Sequence, residues 1–229
     1  MAKRKIEDVS LLRLPRALTV QNVMRLNPPR LKVTDPDLQR FLGNVAESGV
    51  WFIWGAAGSC KTSFAMRVMR DLCHSYSVLY DSLEQRANAA VRDSFLQAGL
   101  TDTEVHGRLH LLPGEPMELL TRRLKKRRAP HVVVIDSWQY TGWESFYDYY
   151  DFRQQHPDKL LIVICQAQGN EPASKPAIRA RFDSDERFFL REGRAVHKGR
   201  SVFDTYYDVN PWAIASSPFW ASKETTTEP

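Results

Sequence analysis

Strand-like and helical stretches alternate from Val50 to Cys165. They predict an α/β fold: a mostly parallel sheet with helices on both faces, extended by added antiparallel strands at its C-terminal end. Three observations carry this. Short β-rich runs recur at spacings that leave room for a helix between them. Two of those runs, 131–135 and 160–165, are almost wholly apolar, as strands covered on both faces must be. After Cys165 the rhythm gives way to shorter strand-like pieces. At 229 residues, 43% apolar and 26% charged, the chain has the size and composition of one globular domain with a short appendage.

Residues 1–48 hold Pro15, Pro28, Pro29 and Pro36 among scattered apolar residues, a pattern for an arm strapped over the core with a short helix at 37–42. The core is expected at 49–212. Its strands are 50–54, 77–80, 106–112, 131–135 and 160–165; its helices are 61–74, 85–97, 116–128 and 143–155. Residues 166–185, QAQGNEPASKPAIRARFDSD, read as a polar, proline-containing loop. Strand-like pieces follow near 187–191, 195–197 and 203–209, and a tail at 213–229 ends in polar residues.

The net charge of +5 is concentrated at one end. Residues 1–32 carry eight Lys or Arg against Glu7 and Asp8, a surplus of six, which leaves minus one for residues 33–229. Two readings of this basic arm stand equally: a contact with nucleic acid, or a solvated terminus. Cys60, Cys73 and Cys165 form no C-x-x-C pair and no even framework, which points to a reducing, cytoplasmic setting. The longest clean apolar run, 160–165, is far short of the roughly 18 residues of a membrane span.

The segment GAAGSCKT, residues 55–62, stands directly after a predicted buried strand and directly before a helix. A phosphate-binding loop needs that placement: successive backbone N–H groups wrap the phosphate oxygens, a Lys reaches the outer phosphates and a hydroxyl meets Mg2+. Gly55, Ala56, Ala57, Gly58, Ser59, Cys60, Lys61, Thr62 and Ser63 are the nucleotide-binding candidates. One position departs from the pattern, because Cys60 stands where Gly is expected and its side chain crowds the turn. In HVVVIDSW, apolar β-formers lead to Asp136 at the end of a buried strand; beside Lys61 and Thr62 it reads as the Mg2+ carboxylate, and alone it reads as a cap on the next turn. In VLYDSLEQ, Glu84 is placed to polarise an attacking water, with Asp81 the competitor for that role.

Together these residues resemble the RecA superfamily, and within it the DnaB, RadA and KaiC-like branch, over roughly residues 40–209. The approach segment FLGNVAESGVWFIWG looks like that branch's lead-in to its P-loop strand, and FDSDERFFL like its acidic pair before a later strand. The resemblance implies an ATPase using ATP and Mg2+, with Glu84 of the S-L-E tripeptide as the catalytic glutamate and Gln166 of ICQAQ as the polar sensor. It implies that Lys198 and Arg200, spaced K-x-R, reach the nucleotide of a neighbouring subunit, so that the active unit is a homo-oligomeric ring or filament. It also implies that the 166–185 loop contacts single-stranded DNA through Lys175, Arg179 and Arg181. The chain looks most like the compact single-domain ATPases of phages and mobile elements.

In SWQYTGW, Trp138 and Tyr140 occupy a predicted loop where such relatives hold a DNA-facing segment; base stacking and packing both remain open for them. The run RRLKKRR, 122–128, reads first as a solvated helix end. The leading expectation is therefore an oligomeric ATPase acting on single-stranded DNA in recombination, annealing or replication. A nucleotide-gated interaction protein with little hydrolysis and a small-molecule kinase are the rivals.

Overall fold

The computed structural model describes residues 17–199 and 203–224. In chain order its elements are helices Val20–Met24 (α1) and Pro36–Leu42 (α2), strand Gly49–Gly55 (β1), helix Lys61–Leu72 (α3), strand Val78–Ser82 (β2), helices Ala89–Gln97 (α4) and Thr103–His106 (α5), and strand Leu109–Leu112 (β3). Helix Met117–Leu124 (α6), strand Val132–Asp136 (β4), helix Phe146–Gln155 (α7), strands Leu160–Gln168 (β5) and Glu171–Pro172 (β6), and helix Lys175–Asp183 (α8) follow. The chain then runs through strands Glu186–Arg191 (β7), Arg194–Lys198 (β8) and Phe203–Asp208 (β9) to helices Pro211–Ala215 (α9) and Pro218–Glu224 (α10).

The sheet order is β3-β2-β4-β5-β1-β7-β8-β9. From β3 to β7 the pairing is parallel, and β8 and β9 are added antiparallel. Side chains alternate across each strand with period two, so one strand feeds two cores. Trp51 and Ile53 of β1, Val132 and Val134 of β4, and Leu160, Ile162 and Ile164 of β5 meet Phe64, Val68, Met69 and Leu72 of α3. The alternate residues Phe52, Trp54, Val133, Ile135, Leu161 and Val163 meet α6, α7 and α8 on the other face. Each fully buried Leu, Ile, Val or Phe is worth about 1.5–3 kcal/mol relative to exposure, which is why the central strands tolerate no polar residue until their ends.

The segment before β1 is a strap. Leu31, Leu38, Phe41, Leu42 and Val45 are buried beside α3, and Asp35 caps α2 by accepting from the amides of Asp37 and Leu38 at 2.9 and 3.0 Å. Asp71 of α3, itself buried, accepts from the Thr34 amide at 2.9 Å, the Asp35 amide at 2.7 Å and the Thr34 hydroxyl.

Several expected boundaries move for local reasons. The helix expected from residue 85 begins at Ala89, because Arg86 takes φ 55 and Asn88 supplies the cap to the Val91 amide at 3.1 Å. The helix expected from 143 begins at Phe146 behind a capping box formed by Ser145 and Asp148. The largest correction concerns residues 166–185, which are not a loop. β5 runs on to Gln168, β6 pairs back on it, and α8 follows behind the Ser174 cap with Pro176 in its first turn. Proline there loses no helix bond, since first-turn amides have no partner within the helix. Past residue 212 the chain continues through α9 and then α10 to Glu224, and Trp220 is buried.

Candidate active site

The strand order sets β2, β4, β5 and β1 side by side, with their carboxyl ends level. Ser82 pairs with Asp136, Asp136 with Ile164, and Gly55 with Gln166. The ends of four parallel strands thus present the functional side chains to one crevice, where open α/β sheets bind ligands.

The turn from β1 into α3 has the backbone of a phosphate cradle. A Cβ on Gly55 would lie 2.3 Å from the Leu190 carbonyl oxygen and 2.5 Å from Ser59 Oγ, so no side chain fits there. Gly58 takes φ 73, and Cys60 takes φ 70, the left-handed conformation that glycine adopts without cost. Cys60 therefore makes the turn that its sequence position demands, at the expense of a strained Cβ. Ser59 Oγ is buried with no hydrogen-bond partner among the described residues. Lys61 Nζ donates to the Ala56 carbonyl oxygen at 2.7 Å, folding its ammonium over the loop. Burial lowers the Lys61 pKa, against the opposing fields of Asp136 and Glu84.

Thr62 Oγ1 donates to Asp136 Oδ2 at 3.1 Å, and the Tyr80 hydroxyl donates to the same oxygen at 2.8 Å. Burial raises the Asp136 pKa; the bonds from Tyr80 and Thr62 pull it back, Glu84 adds to the rise and Lys61 opposes it. A cation placed beside this carboxyl would hold it ionised. The Asp136–Ser137 peptide is cis. Glu84 lies just past β2 and is exposed; its amide donates to the Asp136 carbonyl at 3.0 Å and its Oε2 accepts from Ser137 Oγ at 3.1 Å. Residues 57–63, Glu84, Asp136 and Gln166 line one open depression of about 320 Å3, joined by Gln85. Among the described residues no group of three or more His, Cys, Asp or Glu is placed to hold a metal by itself, so an ion at Thr62 and Asp136 would need phosphate oxygens to complete its shell.

Tyr80, Ser137 and Gln85 are members of the site that the sequence reading missed. A phenol on a buried strand, beside the strand that ends in Asp136, was the available signal for Tyr80.

The remaining candidates divide. Lys198 ends β8, which runs back against β7; its neighbour His197 is level with Phe188 and through it with Ile53, so Lys198 is set back from the strand ends that carry the cradle. Arg200 lies outside the described residues. Trp138 is not a free stacking face: it sits in a 3₁₀ turn, Trp138–Tyr140, 4% exposed, with its ring 6.0 Å from Phe52 and 5.0 Å from Trp143. Arg181 is not free either: it is buried, paired with Glu171 at 2.7 Å and stacked 5.1 Å over Trp54. Tyr140 is exposed, as are Lys175 and Arg179 on α8, with the Arg179 guanidinium 4.7 Å over the Phe146 ring.

Three solved structures share this architecture. They are the flagellar accessory protein FlaH from Methanocaldococcus jannaschii (14% identity, TM-score 0.57, covering 80% of this chain and 92% of that one), a KaiC-like protein from Pyrococcus horikoshii (17%, 0.60, 80% and 95%) and the RadB recombinase (16%, 0.54, 79% and 96%). The fold is RecA-like. At these identities the likeness is one of fold, and it extends over nearly the whole of each neighbour. No family model and no curated protein sequence matches the chain. No helix among the described residues is long and apolar enough to cross a membrane.

Proposed function

We propose that the chain binds ATP with Mg2+ and hydrolyses it, and that it does so as a homo-oligomer acting on single-stranded DNA. The observation that carries the first half is the convergence of Lys61, Thr62, Asp136 and Glu84 on one depression at the strand ends of a RecA-like sheet. The nucleotide's phosphates would lie on the amides of 56–63, with Lys61 turning from the Ala56 carbonyl to the outer phosphates. Thr62 and Asp136 are the residues that would hold Mg2+, which supplies charge neutralisation on the phosphates. Glu84, steadied by Ser137 yet exposed to water, is the general-base candidate, and Gln166 on β5 stands across the depression as the polar sensor. Asp81, the competitor for Glu84's role, is wholly buried on its strand, and that favours Glu84.

Lys198 and Arg200 are proposed to act on the neighbouring copy's nucleotide, a reading supported by their K-x-R spacing and by the return of β8 from the strand ends. For DNA, the surviving candidates are Tyr140, Lys175 and Arg179. Lys175 stands in the first turn of α8, where a cation opposes the helix dipole, so helix stability does not account for it.

The test is ATP hydrolysis with and without single-stranded DNA at several protein concentrations, beside Lys61→Ala, Glu84→Gln and Arg200→Ala. Turnover that rises with DNA and with concentration, and is lost in all three variants, is the expected result. ATP binding without turnover above the variants' background would replace this reading with a nucleotide-gated interaction protein.

A further inference from the structure

Trp212 is 86% exposed, a rare state for so large a ring. Its backbone is nevertheless held from three sides. Pro211 opens α9 and the Asn210 side chain caps it by accepting from the Ala213 amide at 3.2 Å. Arg67 of α3 donates to the carbonyls of Asp208 and Val209 at 3.3 and 2.7 Å. The amides of Val209 and Asn210 donate to the Gly193 carbonyl at 2.8 and 2.9 Å, and a Cβ on Gly193 would come within 2.6 Å of the Asn210 carbonyl oxygen. The fold thus fixes the base of a bare indole instead of burying it.

That indole borders a depression of about 340 Å3 whose other walls include Ser63, Arg67 and Gln97. Cys60 and Ser63 belong to this depression and to the phosphate cradle alike, so the two adjoin at the start of α3. Glu84, Asp136 and Gln166 gather at the cradle's other side, where the outermost phosphate would lie. A nucleoside must leave a cradled triphosphate from the end away from the outermost phosphate. That end opens past Ser63 toward Trp212.

We propose that this depression is the nucleobase subsite, with Trp212 as the wall on which the base stacks and Gln97 as the group facing the base edge. The proposal rests on the nucleotide reading above. Stacking on an aromatic face tolerates any base, so Trp212 contributes affinity without selecting the base, while the exposed Gln97 amide offers a donor and an acceptor to the base edge.

Calorimetric titration of the full chain with Mg2+ and either ATP or inorganic tripolyphosphate separates the two readings. In Trp212→Ala, ATP binding should weaken roughly 5- to 100-fold, while tripolyphosphate binding stays at the wild-type value and shows that the variant is folded. Trp212→Phe should recover most of the ATP affinity. If Trp212→Ala binds ATP as the wild type does while both bind tripolyphosphate, the phosphate cradle stands and the base subsite is overturned. If the wild type binds neither ligand, the nucleotide reading fails and the subsite falls with it.

Discussion

Cys60 shows how a single departure from a motif is absorbed. A side chain at φ 70 brings Cβ against the following carbonyl and costs roughly 1 kcal/mol, yet the turn closes and Lys61 and Thr62 stand where a phosphate loop needs them. Cys60→Gly should therefore raise the thermal midpoint by a few degrees and leave ATP affinity equal or tighter. A loss of affinity would mean that the thiol itself touches the nucleotide. Asp81 makes a second residue-scale prediction. It is wholly enclosed, with one carboxyl oxygen accepting from the Glu115 amide at 2.9 Å and the other without a partner among the described residues, and burial pushes its pKa up to about 6. The folded state keeps this proton above the pH at which the unfolded chain, with a value near 3.8, has lost it. Stability from this group is therefore greatest below about pH 4, falls as pH rises through about 6, and is flat beyond. Urea unfolding from pH 4 to 8 should show that slope in the wild type and a flatter one in Asp81→Asn. An unchanged slope in the variant would place the titration elsewhere.

Among the elements, α8 is where sequence and structure part. Its polar composition and its proline conceal a helix whose buried side consists of Ala177, Ala180 and Arg181, too small or too charged to register as apolar periodicity. The three cations of this segment consequently differ. Arg181→Ala removes an ion pair and a stack on Trp54 and leaves Glu171 without this partner, so it should lower stability by about 1–3 kcal/mol. Lys175→Ala and Arg179→Ala should leave stability nearly unchanged and weaken single-stranded DNA binding, each reducing the steepness of its salt dependence. If the exposed pair proves inert, the α8 surface is not the DNA contact; if Arg181→Ala weakens DNA binding at full stability, the purely structural role of Arg181 is overturned. By contrast, β4 and β5 were legible because buried parallel strands must be continuously apolar, and the β1–α3 turn because a phosphate cradle constrains spacing as well as composition. The roles of Tyr80 and Trp138 were not legible for the opposite reason: whether an aromatic ring near the strand ends is free, packed or bonded to a carboxylate depends on neighbours far away in sequence.

At the scale of the whole molecule, the proposed homo-oligomer predicts that a single copy is catalytically incomplete. The antiparallel return of β8 sets Lys198 back from the strand ends where Lys61, Glu84 and Asp136 collect, and on the proposed reading it and Arg200 act on another copy's nucleotide. This permits a test that no single variant offers. Glu84→Gln lacks its own base but would still present Lys198 and Arg200 to a neighbour, whereas Arg200→Ala keeps a complete cradle and lacks the group lent across the interface. Each alone should be nearly inactive. Mixed in equal amounts under conditions where subunits exchange, an Arg200→Ala cradle will often stand beside a Glu84→Gln neighbour that supplies the missing guanidinium, and turnover should reappear as a substantial fraction of the wild-type rate. In a chain that hydrolyses ATP entirely within one copy, the mixture would only average two inactive proteins, and recovery would be absent at every ratio.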